Sequence, residues 1–191
     1  MSIEALIAAI VALTFHLPAD KARIHVEAAQ RAAAEYKLPT ELLLGIAHVE
    51  SRFDERALSR LECEGDDCKR KTGVWPRATR PPNARPSWFC GPMQTGGNVW
   101  WAECQKMRTD VDYGYRIGAK ELTVWMDDKR CRDLSDSDRL RCALAGYNGG
   151  YAGVANYRNL KYVSWVLLTR DRIVKFAEFS ERSVQKPKPQ T

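Results

Sequence analysis

One glutamate near the end of an apolar run has surroundings that could support proton transfer. Glu50 follows Ala47 and Val49 and precedes Phe53 in the segment ELLLGIAHVESRF. Burial among such neighbours raises the pKa of a carboxyl group, because the charged form loses its hydration. A carboxyl group that titrates near neutrality can donate a proton and later accept one. Most glutamates near helix ends are solvated or capping residues, so Glu50 needs support from elsewhere in the chain.

That support comes from short motifs that follow one another along the chain. Glu50-Ser51-Arg52-Phe53 is followed by Gly91-Pro92-Met93-Gln94, by Ala145-Gly146-Tyr147-Asn148-Gly149-Gly150 and finally by Tyr162-Val163. In this order they resemble the motifs of the lysozyme-like lytic transglycosylases of the soluble-lytic (SLT) type, over roughly residues 35 to 170. That family has a Glu-Ser-x-Phe, a Gly-Leu-Met-Gln and an Ala-Tyr-Asn-Ala-Gly segment, and ends with a Tyr-Val pair. Each motif alone would often occur by chance, whereas the ordered set is specific.

The resemblance implies that the chain cleaves the glycan strands of bacterial peptidoglycan. Glu50 matches the family's one catalytic carboxylate, which protonates the bond between N-acetylmuramic acid and N-acetylglucosamine and then deprotonates the muramoyl 6-hydroxyl. The expected product is a 1,6-anhydromuramoyl end, formed without water and with no metal ion or cofactor. One carboxylate is enough if the substrate's own N-acetyl group supplies the nucleophile.

Three residues match the part of the family's glycan-binding cleft beside the catalytic acid. Ser59 matches a serine that is thought to orient the reacting sugar, although a hydroxyl that caps a helix end is an equally good interpretation. Met93 and Gln94 match residues that line the cleft. For Met93, ordinary filling of the core is the alternative.

Three more residues match the floor and back of the cleft. Tyr147 and Asn148 match positions where an aromatic face packs on a sugar ring and an amide bonds an N-acetyl group. A buried tyrosine and a turn asparagine at a helix end would be the structural alternative. Tyr162 matches a tyrosine whose hydroxyl lies near the catalytic carboxylate.

The sequence departs from the family pattern in three places. Gly91-Pro92 stands for Gly-Leu, Gly146 stands for a small alanine, and the stretch between Ser59 and Gly91 is much longer. This insertion, residues 60–90, is polar and irregular and would lie beside the cleft. Its aromatic and basic side chains could cover the glycan, contact stem peptides or neighbouring proteins, or belong to a surface loop without substrate contact. They are Trp75, Arg77, Arg80, Arg85, Trp88 and Phe89.

A hydrolase is the nearest alternative to a transglycosylase. Goose-type lysozymes have a related fold and similar motifs, but they add water to the cleaved bond. Asp54 would share a helical face with Glu50 if the helix continued past it, which would give the site a second carboxylate. Acids at this spacing more often only repel each other or cap a helix.

The elements that must position these residues are predicted to be helices. Alanine, glutamate, arginine and glutamine without glycine or proline favour a helix in the segment before Lys37. Apolar residues recur at three- and four-residue steps from Val111 to Trp125, and Asn148-Gly149-Gly150 should stop a helix. The predicted helices span residues 20–36, 41–53, 110–128, 139–147 and 160–179. We therefore expect a mainly α protein, and the resemblance implies a lysozyme-like (SLT or goose-type) helical domain with a long irregular insertion.

The chain is long enough for one domain with terminal extensions. The predicted parts are an N-terminal helical segment at 1–34, a lysozyme-like catalytic domain at 35–180 with its insertion at 60–90, and a basic flexible tail at 181–191. The stretch from Ala5 to Ala19 carries no formal charge, but it is short for a membrane span and contains His16 and Pro18. The start Met-Ser-Ile-Glu lacks the basic residues of a secretory signal, so a packed N-terminal helix is expected instead.

Six cysteines lie between positions 63 and 142, an even number that suits up to three disulfides in an oxidising compartment. A zinc site built from Cys63, Cys68, Cys90 and Cys104 lacks the usual two-residue spacing and a nearby histidine. For Cys142, within an apolar helical pattern, a buried free thiol is as good an expectation as a bridge.

A net charge of +6 and a pI of about 9.1 would draw the chain toward polyanions. No nucleic-acid motif accompanies this charge, so we expect peptidoglycan strands and not nucleic acid as the partner, and no firm membrane insertion. The expected place of action is the cell wall or periplasm, with a phage-associated origin favoured. A further interpretation makes the chain a virion or secretion-apparatus component that uses a lysozyme-like fold to bind the wall.

Overall fold

Helices dominate the structure, a computed structural model that describes residues 3–60, 88–97, 101–158 and 160–184, apart from the side chains of 3, 4, 60, 97, 101 and 179–184. The helices of these ranges are α1 (Ile3–Phe15), α2 (Ala19–Tyr36), α3 (Thr40–Ser51), α4 (Trp101–Thr109), α5 (Val111–Asp127), α6 (Asp136–Val154) and α7 (Lys161–Val184). The predicted mainly α class is confirmed. Of the insertion, residues 61–87 lie outside the described residues, as do Cys63, Cys68 and most of the tail.

A small antiparallel sheet, which the sequence pattern did not predict, stands between α3 and α4. Its strands are β1 (Leu58–Arg60), β2 (Trp88–Cys90) and β3 (Thr95–Gly97), in the order β1-β2-β3. Ser59 pairs with Phe89, and Cys90 pairs with Thr95. The sheet thus joins both ends of the insertion and carries Ser59 to the turn between β2 and β3.

One apolar core runs through most of the helices. Helix α3 supplies a continuous buried stretch from Leu42 to Ala47, and it packs against α7 and α2. Ile7 and Val11 of α1 are buried in the same core, as expected for a packed N-terminal helix. No helix within the described ranges combines the length and apolar character needed to cross a membrane.

Two helix ends near the motifs depart from the predicted bounds. Helix α3 stops at Ser51 because Arg52 and Phe53 both take left-handed backbone conformations, with φ of 55° and 63°. Helix α6 is broken at Gly150, where φ is 57° and ψ is −147°, so the expected stop at the glycine pair is present although a further turn follows. The left-handed residues after α3 thus leave Glu50 near a helix end, and the kink at Gly150 leaves Tyr147 near the end of the regular part of α6.

Two disulfides among the described residues tie β2 to α4 and the turn after α5 to α6. Cys90 of β2 is bonded to Cys104 of α4, and Cys131 is bonded to Cys142 of α6. The Cys90–Cys104 bridge contradicts the zinc alternative, because it uses two of the four thiols that the zinc site would need. The second decides for a bridge at Cys142 and against a free buried thiol.

Candidate active site

Glu50 is the penultimate residue of α3, where its side chain is half-buried. Burial raises the pKa of its carboxyl group from 4.5 to about 7, and the neighbouring Tyr162 hydroxyl works in the opposite direction. Desolvation is the larger effect because burial among apolar neighbours removes water from the charged form. A carboxyl group with this pKa is present in both protonation states at neutral pH, as a group that acts as acid and then as base requires.

Ser51 attaches the end of α3 to the turn at residues 91–94. Its hydroxyl donates to the Pro92 carbonyl oxygen at 2.7 Å and accepts the Asp54 N–H at 3.1 Å. The left-handed residues Arg52 and Phe53 then direct the chain away, with Phe53 fully buried. The Glu-Ser-x-Phe motif therefore ends the helix and joins it to the second motif.

The turn at residues 91–94 is seated on α5. A Cβ atom added to Gly114 or Gly118, one helical turn apart, would lie within 3 Å of Pro92 or Met93 side-chain atoms. Met93 is completely buried against Gly118. This burial agrees with the core-filling alternative for the side chain, and the assignment of Met93 to the glycan-binding cleft stays a prediction.

Gln94 turns its side chain toward the sheet. The Ser59 hydroxyl donates to Gln94 Oε1 at 2.7 Å, and Gln94 Nε2 donates to the Gly91 carbonyl oxygen at 3.0 Å. Ser59 lies in strand β1 and is exposed, so the interpretation as a helix cap is wrong. The pair presents a hydroxyl and an amide group that are already oriented by each other.

Two tyrosines bring α6 and α7 to Glu50. The Tyr147 hydroxyl donates to the Met93 carbonyl oxygen at 2.7 Å, which links the third motif to the second. Burial, followed by the negative charge of Glu50, raises the pKa of both Tyr147 and Tyr162 well above the usual value. The Tyr162 hydroxyl is buried beside Glu50 without a well-formed hydrogen bond to any described residue.

Two further predicted residues lie at the edge of this group or outside it. Asn148 is exposed at the end of the regular part of α6, next to Tyr147. Asp54 is exposed in the turn after α3, where its carboxylate accepts the Arg56 N–H at 3.0 Å. Because α3 ends at Ser51, Asp54 does not share a helical face with Glu50.

Sequence reasoning missed one acidic residue close to the site. Glu121 of α5 accepts a hydrogen bond from the Trp125 indole at 2.9 Å, and its charge contributes to the raised pKa of Tyr147. The periodicity of α5 points to the adjacent Leu122 as the core residue, and none of the four motifs contains Glu121. Only the packing of α5 against α6 brings this carboxylate near enough for its charge to affect Tyr147.

Comparisons with protein-family models, with curated proteins and with solved structures found no match for this chain. The candidate site therefore rests on its own geometry and on the motifs that carry it.

The raised pKa of Glu50 predicts a stability gain when its charge is removed. The folded state binds this proton with a pKa of about 7, against 4.5 as the ordinary value, so stability falls as the pH rises from 4.5 through 7. Glu50→Gln should raise the free energy of unfolding by roughly 1 to 3 kcal/mol at pH 8, allowing for partial solvation, and change it little at pH 4. Urea denaturation at both pH values measures the difference.

Glu41→Gln is the matched control, since Glu41 lies in the first turn of the same helix. Its charge favours the helix N-terminus, so the substitution should cost up to about 1 kcal/mol at pH 8. A Glu50→Gln protein less stable than the unsubstituted protein at pH 8 would contradict the buried-carboxyl account.

Proposed function

We propose that this chain is a peptidoglycan lytic transglycosylase with a lysozyme-like fold and that Glu50 is its catalytic acid and base. The observation that carries the proposal is the position of Glu50, where all four motifs meet around a carboxyl group whose pKa is about 7. The motifs come from separate parts of the chain, and chance matches would have no reason to converge. The mainly helical architecture is compatible with the proposed fold.

In the first step, the protonated Glu50 carboxyl group donates its proton to the oxygen of the bond between N-acetylmuramic acid and N-acetylglucosamine. The bond from that oxygen to C1 of the muramoyl sugar breaks as the carbonyl oxygen of its own N-acetyl group attacks C1. The N-acetylglucosamine side leaves as an alcohol. Because burial raises the pKa of Glu50 to about 7, a large fraction of the carboxyl groups is protonated at neutral pH, as this step requires.

In the second step, the Glu50 carboxylate removes the proton from the muramoyl 6-hydroxyl. The 6-oxygen attacks C1, the N-acetyl oxygen departs, and a 1,6-anhydro ring forms while Glu50 regains its proton. No water is consumed. The Tyr162 hydroxyl beside Glu50 favours the carboxylate formed between the steps, since it lowers the pKa.

The surrounding polar groups suit the recognition of an N-acetylated sugar. The Ser59–Gln94 pair offers a hydroxyl and an amide on the sheet side, and exposed Asn148 offers an amide at the end of the regular part of α6. Tyr147 is held by the Met93 carbonyl oxygen, so it is fixed before substrate arrives. We propose these residues, with Tyr162, as the glycan-binding set, with Met93 contributing through its backbone.

A goose-type muramidase is the second candidate, and Glu121 is the observation that favours it. A hydrolase needs a group that activates water, and Glu121 is a second carboxylate whose charge reaches Tyr147. The Glu121 carboxylate already accepts a hydrogen bond from the Trp125 indole, which indicates a structural role. The one-carboxylate mechanism is therefore the better account.

The mass of the products separates the two candidates. Purified peptidoglycan digested with the protein should yield 1,6-anhydromuramoyl ends, which are lighter by one water molecule than the reducing ends left by hydrolysis. Mass spectrometry of the soluble fragments, with and without borohydride reduction, provides the measurement, because anhydro ends resist reduction. Reducing ends alone would reject the transglycosylase and favour the muramidase.

We also propose that the protein acts at the cell wall or in the periplasm, with a phage particle or a secretion apparatus as its carrier. The two disulfides fit an oxidising compartment, and the charge of +6 fits a polyanionic envelope.

A further inference from the structure

An exposed tyrosine, Tyr151, packs on the partly buried Trp125 at the kink of α6, beside the candidate site. The rings of Trp125 and Tyr151 meet edge to face, with centroids 5.3 Å apart, and the Arg130 guanidinium lies 4.3 Å from the Tyr151 ring centroid. Tyr151 is nevertheless 63% exposed. We call Trp125, Tyr151 and Arg130 the aromatic corner.

The aromatic corner is continuous with the site around Glu50. The Trp125 indole lies across Gly146, so closely that a Cβ atom there would be 2.4 Å from the ring. This contact explains why glycine stands where the resembled family has alanine. Gly146 directly precedes Tyr147, and the Trp125 partner Glu121 is close enough to influence the Tyr147 pKa. Glu50 thus acts on Tyr147 through its charge, and Gly146, the residue before Tyr147, contacts Trp125 of the corner.

An open strip of backbone connects Tyr147 and Asn148 with Tyr151. A Cβ atom at Gly149 or Gly150 would meet nothing within 4 Å. Gly150 has a φ of 57°, and this kink turns the chain so that Tyr151 reaches Trp125. No side chain of the strip itself stands between Asn148 and the Tyr151 ring.

The corner is held in place before any ligand arrives. Cys131, next to Arg130, is bonded to Cys142, and that bridge packs with Val154 and Trp125 in a small buried cluster. Arg130 donates to the Asp128 carboxylate, at 3.3 and 3.4 Å, so its charge is already paired. Because the Tyr151 ring is held by its neighbours and stays exposed, binding a flat apolar face on it costs little ordering entropy. Because the Arg130 charge is paired with Asp128, the corner favours a ligand with little negative charge.

We propose that the aromatic corner is a sugar-binding subsite, in which an N-acetylhexosamine ring stacks on the exposed face of Tyr151. The glycan would continue along the Gly149–Gly150 strip from the sugars bound around Glu50, so the assignment to peptidoglycan rests on the proposed function. A pyranose ring presents axial C–H groups on one face, which pack on an aromatic surface, while its hydroxyl groups stay in water. A linear glycan is the polymer that needs several such subsites in a row.

Binding of a linear β-1,4-linked N-acetylglucosamine hexasaccharide to Glu50→Gln protein tests the subsite without turnover. Adding Tyr151→Ala should weaken binding by about fivefold to tenfold, the order expected for losing one aromatic anchor. Tyr151→Phe, which keeps the ring, is the matched control and should bind as the parent does. The disaccharide, too short to span both regions, should bind equally to all three proteins. Titration calorimetry measures each affinity.

Equal affinity of the alanine and phenylalanine proteins for the hexasaccharide would overturn the subsite. Because Tyr151 is mostly exposed, the alanine protein should fold normally, and its unfolding midpoint checks this. A different result would reject the proposed function, namely full peptidoglycan cleavage by the Glu50→Gln single variant. The Tyr151-dependent hexasaccharide affinity would remain a valid result in that case.

Discussion

Glu50→Gln is expected to reduce peptidoglycan cleavage at least about a thousandfold. General acid and general base catalysis each contribute about a hundredfold or more, and the proposed mechanism uses this carboxyl group for both. Glutamine keeps the shape and can accept a hydrogen bond, but it can neither protonate the glycosidic oxygen nor remove the 6-hydroxyl proton. The release of soluble fragments from purified peptidoglycan measures the rate.

The interpretation of this loss depends on two comparisons. Glu41→Gln makes the same exchange at the other end of α3 and should retain full activity. Because Glu50→Gln is expected to be more stable than the parent at pH 8, a loss of activity there cannot be assigned to unfolding. Undiminished turnover by the Glu50→Gln protein would reject the catalytic assignment.

The pKa of Glu50 also predicts the direction of the pH dependence. The free enzyme must bind substrate with Glu50 protonated, so kcat/KM should fall as the pH rises above about 7. The same proton stabilises the fold, since the folded state binds it more tightly than the unfolded chain does. That stabilisation is lost as the pH rises from 4.5 to about 7, so it is largely gone in the range where kcat/KM begins to fall.

Most helices, and the motifs placed on them, could be predicted because their information is local. The α2 composition, the periodicity of α5 and the glycine stop in α6 each act over a few turns of one segment. The apolar run around Glu50 is likewise local, and its prediction of a partly desolvated carboxyl group agrees with the burial that raises the Glu50 pKa.

The sheet, the end of α3 and the burial of Met93 depend on tertiary contacts, which no local sequence pattern predicts. Strands of three residues are too short to show alternation, and they are stabilised by pairing across the insertion. Helix α3 ends two residues early because Arg52 and Phe53 take left-handed conformations, at a point where Ser51 bonds the Pro92 carbonyl oxygen, 41 positions away. Met93 could be assigned to the core only once Gly118 was seen to lie beneath it.

Gly91→Ala is expected to destabilise the protein by about 3 kcal/mol. Gly91 has a φ of +73°, in the left-handed region that costs an alanine about 1 kcal/mol. Its added Cβ atom would lie 2.5 Å from the Met107 carbonyl oxygen, and a forced contact of this kind costs about 1 to 3 kcal/mol more. The backbone cannot easily yield, since Cys90 is bonded to Cys104 on the same helix as Met107.

The loss should extend to the site, because this turn is its junction. The Gly91 N–H donates to the Ala57 carbonyl oxygen at 3.0 Å, and its own carbonyl oxygen accepts from Gln94. A displaced turn would loosen both the Ser51 bond that ends α3 and the Tyr147 bond that fixes α6, so cleavage should fall even where the variant remains folded.

Gly149→Ala is the matched control for Gly91→Ala. Its backbone is helical and a Cβ atom there meets nothing within 4 Å, so replacing glycine in a helix should be neutral or stabilising by up to about 1 kcal/mol. Urea denaturation of the oxidised proteins compares the two. Equal stability of both variants would mean that the turn at residues 91–94 is free to move, and the site could not then depend on it for its geometry.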